Sequence, residues 1–274
     1  MSDQILTLHV GPSQLLSKLC DEIELEKTIN NLVKWDSVRC HISPGTRIKA
    51  LVLNILCSGK PLYKVHEFYQ NLDSEMLFDT SISPDQLNDD ALGRALDYLY
   101  KAEAWKVYST LALKALKKLN LPLITNKLDE ETLSNQEVLR VYKGQSAVET
   151  RFRLIKDSQM IDAIYLKTPE RVEALGIVYV MALLIYGILE YRVRKELKEK
   201  NLSLILKGKR KLYQPTGQAL LEQLEDITVI LINQNRQKLR LLPDNIDSQA
   251  KKIIELCGYD LSIYVSKNVE NKGE

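Results

Sequence analysis

A run of polar side chains between residues 136 and 157 has a spacing that could support chemistry. Tyr142, Gln145, Glu149 and Lys156 follow one another at intervals of three, four and seven residues. On an α-helix these intervals place the four side chains on one narrow stripe. A carboxylate can bind a divalent metal ion, which makes Glu149 a candidate metal ligand. The stripe therefore predicts either part of a metal-dependent site or the polar edge of an ordinary helix.

A second, apolar stripe borders the polar one on the same helix. It consists of Val141, Val148, Phe152 and Ile155. A helix with adjacent apolar and polar stripes buries the first and exposes the second, which is common in globular proteins. The spacing alone favours this amphipathic interpretation. The three histidines, His9, His41 and His66, lack metal-ligand spacing, so they predict no zinc or histidine-based catalytic site.

Composition describes a globular chain with uneven charge. The 274 residues are 45% hydrophobic and 27% charged, with a net charge of +2, which indicates one or two domains and excludes a polycation. Between residues 192 and 211, however, the sequence contains nine Lys or Arg and only two Glu. Such a basic run can neutralise DNA phosphates, or it can be a solvated helix end and loop.

Several features predict a cytoplasmic protein. The four cysteines have no CxxC spacing, and a chain of this length does not need a disulfide scaffold, so free thiols are expected. The N-terminus lacks a signal-peptide pattern. The uncharged apolar run 174–189 is shorter than the roughly 20 residues that span a bilayer. It predicts a fully buried core helix, with a membrane span as the alternative.

The hydrophobic periodicity predicts a mainly α fold. Ser43 can cap a helix that has Pro44 in its first turn, Gly59 follows its end, and Pro61 can open a second helix. Helix, turn and helix form the outline of either a DNA-reading helix-turn-helix or a plain helical hairpin. The basic residues around it are candidate DNA contacts: Arg47, Lys49, Lys60 and Lys64.

An acidic cluster precedes another predicted helix. Asn88 or Asp89 can cap this helix, whose apolar face carries Leu92, Leu96 and Leu99. Residues 88–90 could bind a metal ion, but carboxylates also favour the first turn of a helix, and this second interpretation is preferred.

Two regions resemble one family. The pattern Tyr-x2-Gln-x3-Glu-x6-Lys in "YKGQSAVETRFRLIKD", followed by "LKTPERVEALG", is similar to the Tyr-x2-Arg-x3-Glu-x6-Lys signature of bacterial insertion-sequence transposases. The segments "ISPGTRIKALVLNILCSGKPLYKVHEFY" and "LNDDALGRALDYLYKA" resemble their helical N-terminal domain. The resemblance implies a helical N-terminal domain over 1–120. It implies that residues 121–274 are a helical C-terminal remnant of an RNase H-like (DDE) transposase domain.

The resemblance also implies roles for individual residues. In this family two aspartates and one glutamate hold two Mg²⁺ ions that drive DNA strand transfer. Glu149 corresponds to the catalytic, metal-binding glutamate, and Tyr142 and Lys156 correspond to DNA contacts. Arg153 is counted with these predicted contacts. Gln145 replaces the arginine of the signature and so lacks its charge and its two-pronged phosphate contact.

The two aspartates have no room in this chain. Asp129 is the sole aspartate between Asn120 and Glu149. In the family the two aspartates lie on or beside strands of a sheet. Parallel strands need connections of about a dozen residues or more, so this short interval cannot hold the sheet. The simplest interpretation is an internal deletion with its junction near residues 121–125. The chain is therefore predicted to be catalytically inactive, with Glu149 orphaned and no cofactor in this form.

Three functional hypotheses follow. An inactive transposase-family protein would bind the DNA ends of the element and could assemble with itself or with an intact transposase. A relic without function would expose apolar surface and aggregate. An active enzyme would need Asp129, or Asp89 and Asp90, recruited beside Glu149. No membrane partner is expected under any of these hypotheses.

Overall fold

The computed structural model describes residues 4–38, 40–119, 166, 168–207, 210–234 and 237–266. These residues are mainly helical, which confirms the predicted fold class. The α-helices among them are α1 (Ser13–Glu22), α2 (Leu25–Leu32), α3 (Pro44–Cys57), α4 (Val65–Tyr69), α5 (Ser74–Phe78), α6 (Asp89–Lys101), α7 (Ala104–Lys118), α8 (Pro169–Glu199), α9 (Gly217–Leu224) and α10 (Ser248–Leu256). Short 3₁₀ helices are η1 (Leu62–Lys64), η2 (Pro84–Leu87) and η3 (Leu261–Tyr264).

Two small antiparallel sheets accompany the helices. The larger sheet has the order β1 (Gln4–His9), β4 (Thr228–Gln234), β5 (Gln237–Leu241). The smaller one pairs β2 (Leu204–Ile205) with β3 (Lys211–Leu212). The sequence analysis predicted none of these strands. In the larger sheet Ile5 pairs with Ile232, which in turn pairs with Leu239.

The long helix α8 runs through the centre of the described residues. It packs on α1, α3, α6 and α7 and also contacts α9 and α10. Ala174, Val178 and Ile185 on one of its faces are fully buried. By length and composition α8 could cross a membrane, a test that the core helix of a soluble protein also passes. Half of its apolar window is buried, so the helix lies in the core but is less enclosed than predicted.

The described parts of the two predicted domains share one core. Strand β1, from the first part, pairs along its whole length with β4 from the second. The apolar side chains of α3, α6 and α8 belong to a single buried cluster. The boundary near residue 120 adjoins residues outside the described ranges, and it remains a prediction.

Local sequence signals shape the segment from α3 to α6. The Ser43 hydroxyl accepts a hydrogen bond from the Thr46 amide at 3.1 Å, so the predicted cap of α3 is confirmed. Gly59 has a φ of 61°, a conformation that favours glycine, and it turns the chain after α3. Pro61 then precedes η1 and α4, which together form only a short second helix. Asn88 caps α6 as predicted, accepting from Ala91 at 2.9 Å.

Candidate nucleic-acid interface

The predicted catalytic segment lies outside the described residues. This applies to Tyr142, Gln145, Glu149, Arg153 and Lys156, and also to Asp129. Their roles remain predictions from the sequence. Among the described residues no group of three or more His, Cys, Asp or Glu could hold a metal ion. Asp89 and Asp90 occupy the first turn of α6, where carboxylates complement the helix dipole.

Lys49 is a core residue. Its side chain is only 2% exposed, and its ammonium lies 2.6 Å from an Asp21 carboxylate oxygen and 3.2 Å from a Glu26 one. It also donates to the Leu77 carbonyl at 2.7 Å. Burial lowers the pKa of Lys49, but the two carboxylates more than offset it, so the pKa lies above its ordinary value. With its ammonium fully occupied, Lys49 does not support the predicted DNA contact and is left out of the interface proposed below.

Lys60 and Lys64 differ in their surroundings. The Lys60 ammonium pairs with Glu67 at 2.9 Å, across the turn that separates α3 from α4. This hydrogen bond lowers the pKa of the Glu67 carboxyl below its usual range. Lys64 is exposed on η1, and its ammonium lies 5.6 Å from the centre of the Tyr63 ring. No described carboxylate pairs with Lys64, which leaves it available to a phosphate group.

Arg47 lies on the first turns of α3, where that helix packs against α6. Its Nε atom is buried and has no hydrogen-bond partner among the described residues. The guanidinium contacts the Cys40 sulfur, and no described carboxylate forms an ion pair with it. Burial lowers the pKa of Arg47, and the neighbouring charge of Arg94 lowers it further.

Helix α6 presents a polar stripe beside Arg47. Arg94, Tyr98 and Lys101 lie one turn apart on α6, while Leu92, Leu96 and Leu99 face the core. Arg94 and Lys101 are exposed and have no ion-pair partner in the described part of the chain. We name Arg47, Arg94 and Lys101 the α6 cationic face.

Ion pairs involve more than half of the described cations in the basic run 192–211. Five of its cations pair with carboxylates: Arg192 with Glu22, Arg194 with Glu190, Lys195 with Glu199, Lys200 with Glu196, and Lys207 with Glu225 and Asp226. Lys198, Arg210 and Lys211 have no such partner among the described residues. The number of basic residues in the run is therefore larger than the number of cations that are available to contact DNA phosphates.

The sequence analysis missed Arg94 and Lys101. The leucines of "LNDDALGRALDYLYKA" predict only the buried face of α6. The signal was present, because Arg94, Tyr98 and Lys101 have helical spacing on the opposite side. The approach of Arg47 to this stripe depends on the packing of α3 against α6, which the sequence does not show.

Comparison with known proteins adds one match. Residues 7–113 match the family model of a domain of unknown function, DUF4277. No curated protein and no solved structure matches the chain. The matched range includes α1 to α6 and most of α7, and it therefore contains the whole α6 cationic face. The segment 7–113 is thus similar to a recurring protein domain whose function is not defined.

Proposed function

We propose that this protein is a DNA-binding member of the bacterial insertion-sequence transposases that has lost strand-transfer chemistry. The observation that carries the DNA-binding part is the α6 cationic face. Exposed cations without carboxylate partners are free to exchange their counterions for DNA phosphates. The resemblance of the sequence to transposases supports the ends of an insertion sequence as the DNA that is bound.

The loss of chemistry rests on the number of carboxylates. Two-metal strand transfer needs ligands on both ions, and Glu149 can supply only one of the three family carboxylates. The sequence has a single aspartate, Asp129, between residue 120 and Glu149. Without its two partners Glu149 cannot hold both metal ions. A protein that binds element ends without cutting them would compete with an intact transposase for those ends.

A gel-shift assay on purified protein tests both parts of this proposal. Labelled duplex DNA carrying the element ends is incubated with the protein over a range of salt concentrations, with and without Mg²⁺ or Mn²⁺. We expect a shifted, uncut band whose affinity falls steeply as salt rises. Metal-dependent cutting that disappears in Glu149→Ala would overturn the inactive assignment. The absence of any shift at low salt would overturn DNA binding.

A pair of charge-matched variants assigns the binding surface. Arg94→Gln/Lys101→Gln removes two unpaired cations, whereas Lys27→Gln/Lys106→Gln removes two exposed lysines that already pair with Glu24 and Glu103. Both variants change the net charge equally. We expect the first to bind DNA more weakly, with a salt slope lower by about two, and the second to bind like the wild type. Equal losses in both variants would mean that overall charge, rather than this surface, attracts the DNA.

A further inference from the structure

The guanidinium of Arg47 is incompletely hydrogen-bonded within the described residues. Its Nε atom is buried without a hydrogen-bond partner. A buried donor left unpaired destabilises the folded state, and such a group in a folded protein needs an explanation. No carboxylate of the described residues pairs with Arg47, which sets it apart from Arg171, Arg192 and Arg240, all of them paired with carboxylates.

A second arginine adds electrostatic repulsion to the unpaired charge of Arg47. Arg94 on α6 is close enough for its charge to lower the pKa of Arg47. Asp90 lies one turn before Arg94 on α6 but forms no ion pair with it. The Asp97 carboxylate, three residues further on, is engaged by Arg171 at 2.7 Å. Two arginines therefore approach each other while the carboxylates on α6 leave both of them unpaired.

The side chains around Arg47 differ in their exposure to solvent. Arg94 is exposed, while Arg47, Cys40 and Tyr98 are half-buried. The Cys40 sulfur contacts the Tyr98 hydroxyl, and its charge and hydrogen bond raise the pKa of Tyr98. Asp36, on the loop before α3, is close enough for its charge to raise the pKa of Tyr98 as well. Because Arg94 is exposed and Arg47 is only half-buried, part of each side chain is accessible to solvent and hence to a small anion.

We propose that Arg47 and Arg94 form a clamp for a single phosphate group, with the Tyr98 hydroxyl at its edge. The proposal rests on the DNA-binding function proposed above, because it takes the phosphate from the DNA backbone. Two guanidinium forks offer several N–H donors in the planar arrangement that matches phosphate oxygens. A backbone phosphate is a monoanion, and between the half-buried and the exposed guanidinium groups it would accept hydrogen bonds and offset the repulsion between their positive charges.

Two arms of one experiment test the clamp. The first measures DNA affinity by fluorescence anisotropy at several salt concentrations for wild type, Arg94→Gln, Arg94→Lys and the control Lys27→Gln. We expect Arg94→Gln to lower the salt slope by about one, and Arg94→Lys to recover only part of the affinity because it restores the charge but not the fork. Lys27→Gln should bind like wild type.

The second arm uses inorganic phosphate as the probe. The thermal midpoint of unfolding is compared in sodium phosphate and in sodium chloride of equal ionic strength. A ligand that binds only the folded state raises the midpoint, so phosphate should stabilise wild type and Lys27→Gln but not Arg94→Gln. Arg47→Lys, which keeps a cation at the half-buried position, should reduce the phosphate effect while the variant remains folded.

The two arms separate failure of the clamp from failure of the proposed function. DNA binding that is unaltered in Arg94→Gln, together with no specific phosphate effect, overturns the clamp and leaves DNA binding intact. A phosphate effect that depends on Arg94, in a protein that does not bind DNA, supports an anion clamp and overturns the function. A protein that responds to neither probe overturns both.

Discussion

Two partly buried arginines of this protein, Arg240 and Arg47, differ in whether carboxylates pair with them. Arg240 on β5 is 10% exposed, and its guanidinium bonds to Asp73 at 2.7 Å and to Glu75 at 3.0 Å. Arg47 on α3 is also partly buried, yet it has no carboxylate partner among the described residues and lies beside a second arginine. The first arrangement joins distant parts of the chain, whereas the second leaves positive charge unsatisfied.

This difference separates a structural cation from a binding one. Arg240 and Asp73 are far apart in sequence, so their pairing fixes the β4–β5 hairpin against α5. Arg192 has a comparable role, since it and Tyr259 both hold the carboxylate of Glu22 at the end of α1. The charge of such cations is neutralised by carboxylates of the same chain. Only a cation that folding leaves without a partner retains its charge for a ligand.

Removal of Arg240 should produce the largest loss of stability. Arg240→Met leaves Asp73, which is 7% exposed, as a buried carboxylate without its cation. Breaking a buried pair in this way costs about 3–5 kcal/mol. Lys238→Met is the control on the same strand, because Lys238 also pairs with Glu75 but is 42% exposed, and its loss should cost less than about 1 kcal/mol. Equal losses in the free energy of unfolding, measured with urea, would show that the Arg240 ion pairs stabilise the fold no more than an exposed pair does.

Lys49→Met should have the next largest effect. Methionine fills a similar volume, but Asp21 and Glu26 lose their shared cation. These carboxylates are 40% and 25% exposed, so water can partly replace the ammonium, and we expect a loss of about 2–3 kcal/mol. The DNA affinity of the folded variant should equal that of wild type. A reduced affinity at unchanged stability would return Lys49 to the interface.

Signals within one helix could be predicted from the sequence. Ser43 and Asn88 cap their helices, and Gly59 ends the turn after α3, because capping and turn chemistry involve neighbours within a few residues. The mainly α class followed from the same local periodicity. Of the candidate interface, the sequence could name Arg47 and Lys64 as basic residues near a helical hairpin.

Features that depend on distant partners could not be predicted. Strand β4 carries apolar residues on both faces, with Val229 buried and Ile230 only half-buried, so its sequence lacks the alternation that reveals a strand. Its pairing with β1 joins opposite ends of the chain. Lys49 looked like any other exposed lysine, because its partner Asp21 lies 28 residues earlier. The spacing of Arg94 with Lys101 could be read from the sequence, but the position of Arg47 beside Arg94 depends on the packing of α3 against α6.

The Asp97–Arg171 pair, which joins α6 to α8, should have a smaller and pH-dependent effect. The hydrogen bond from Arg171 lowers the pKa of Asp97, and the folded state therefore favours the ionised carboxylate. Its stabilisation is complete above the unfolded pKa of about 4 and is lost as the pH falls through the lower folded value. The side chain is 35% exposed, so we expect a difference of about 1 kcal/mol or less between wild type and Asp97→Asn at pH 7.

Urea unfolding at several pH values measures this difference. The two proteins should become equally stable at low pH, because a protonated Asp97 no longer pairs with Arg171. The arginine itself stays charged throughout the range. A difference that persists unchanged at the acidic end would assign the effect of Asp97→Asn to packing rather than to charge.

Arg94→Gln should have the smallest effect on stability, and it tests the comparison most sharply. An exposed arginine with no described carboxylate partner contributes little to folding, so the change should stay within about 0.5 kcal/mol. Because the charge of Arg94 opposes that of Arg47, the variant should be as stable as wild type or slightly more stable at low salt, and high salt should remove any gain by screening. Urea unfolding at low and high salt measures both effects. A clear destabilisation would show that Arg94 has a structural role like that of Arg240. An unchanged stability accompanied by loss of phosphate binding would show that Arg94 contributes to ligand binding and not to folding.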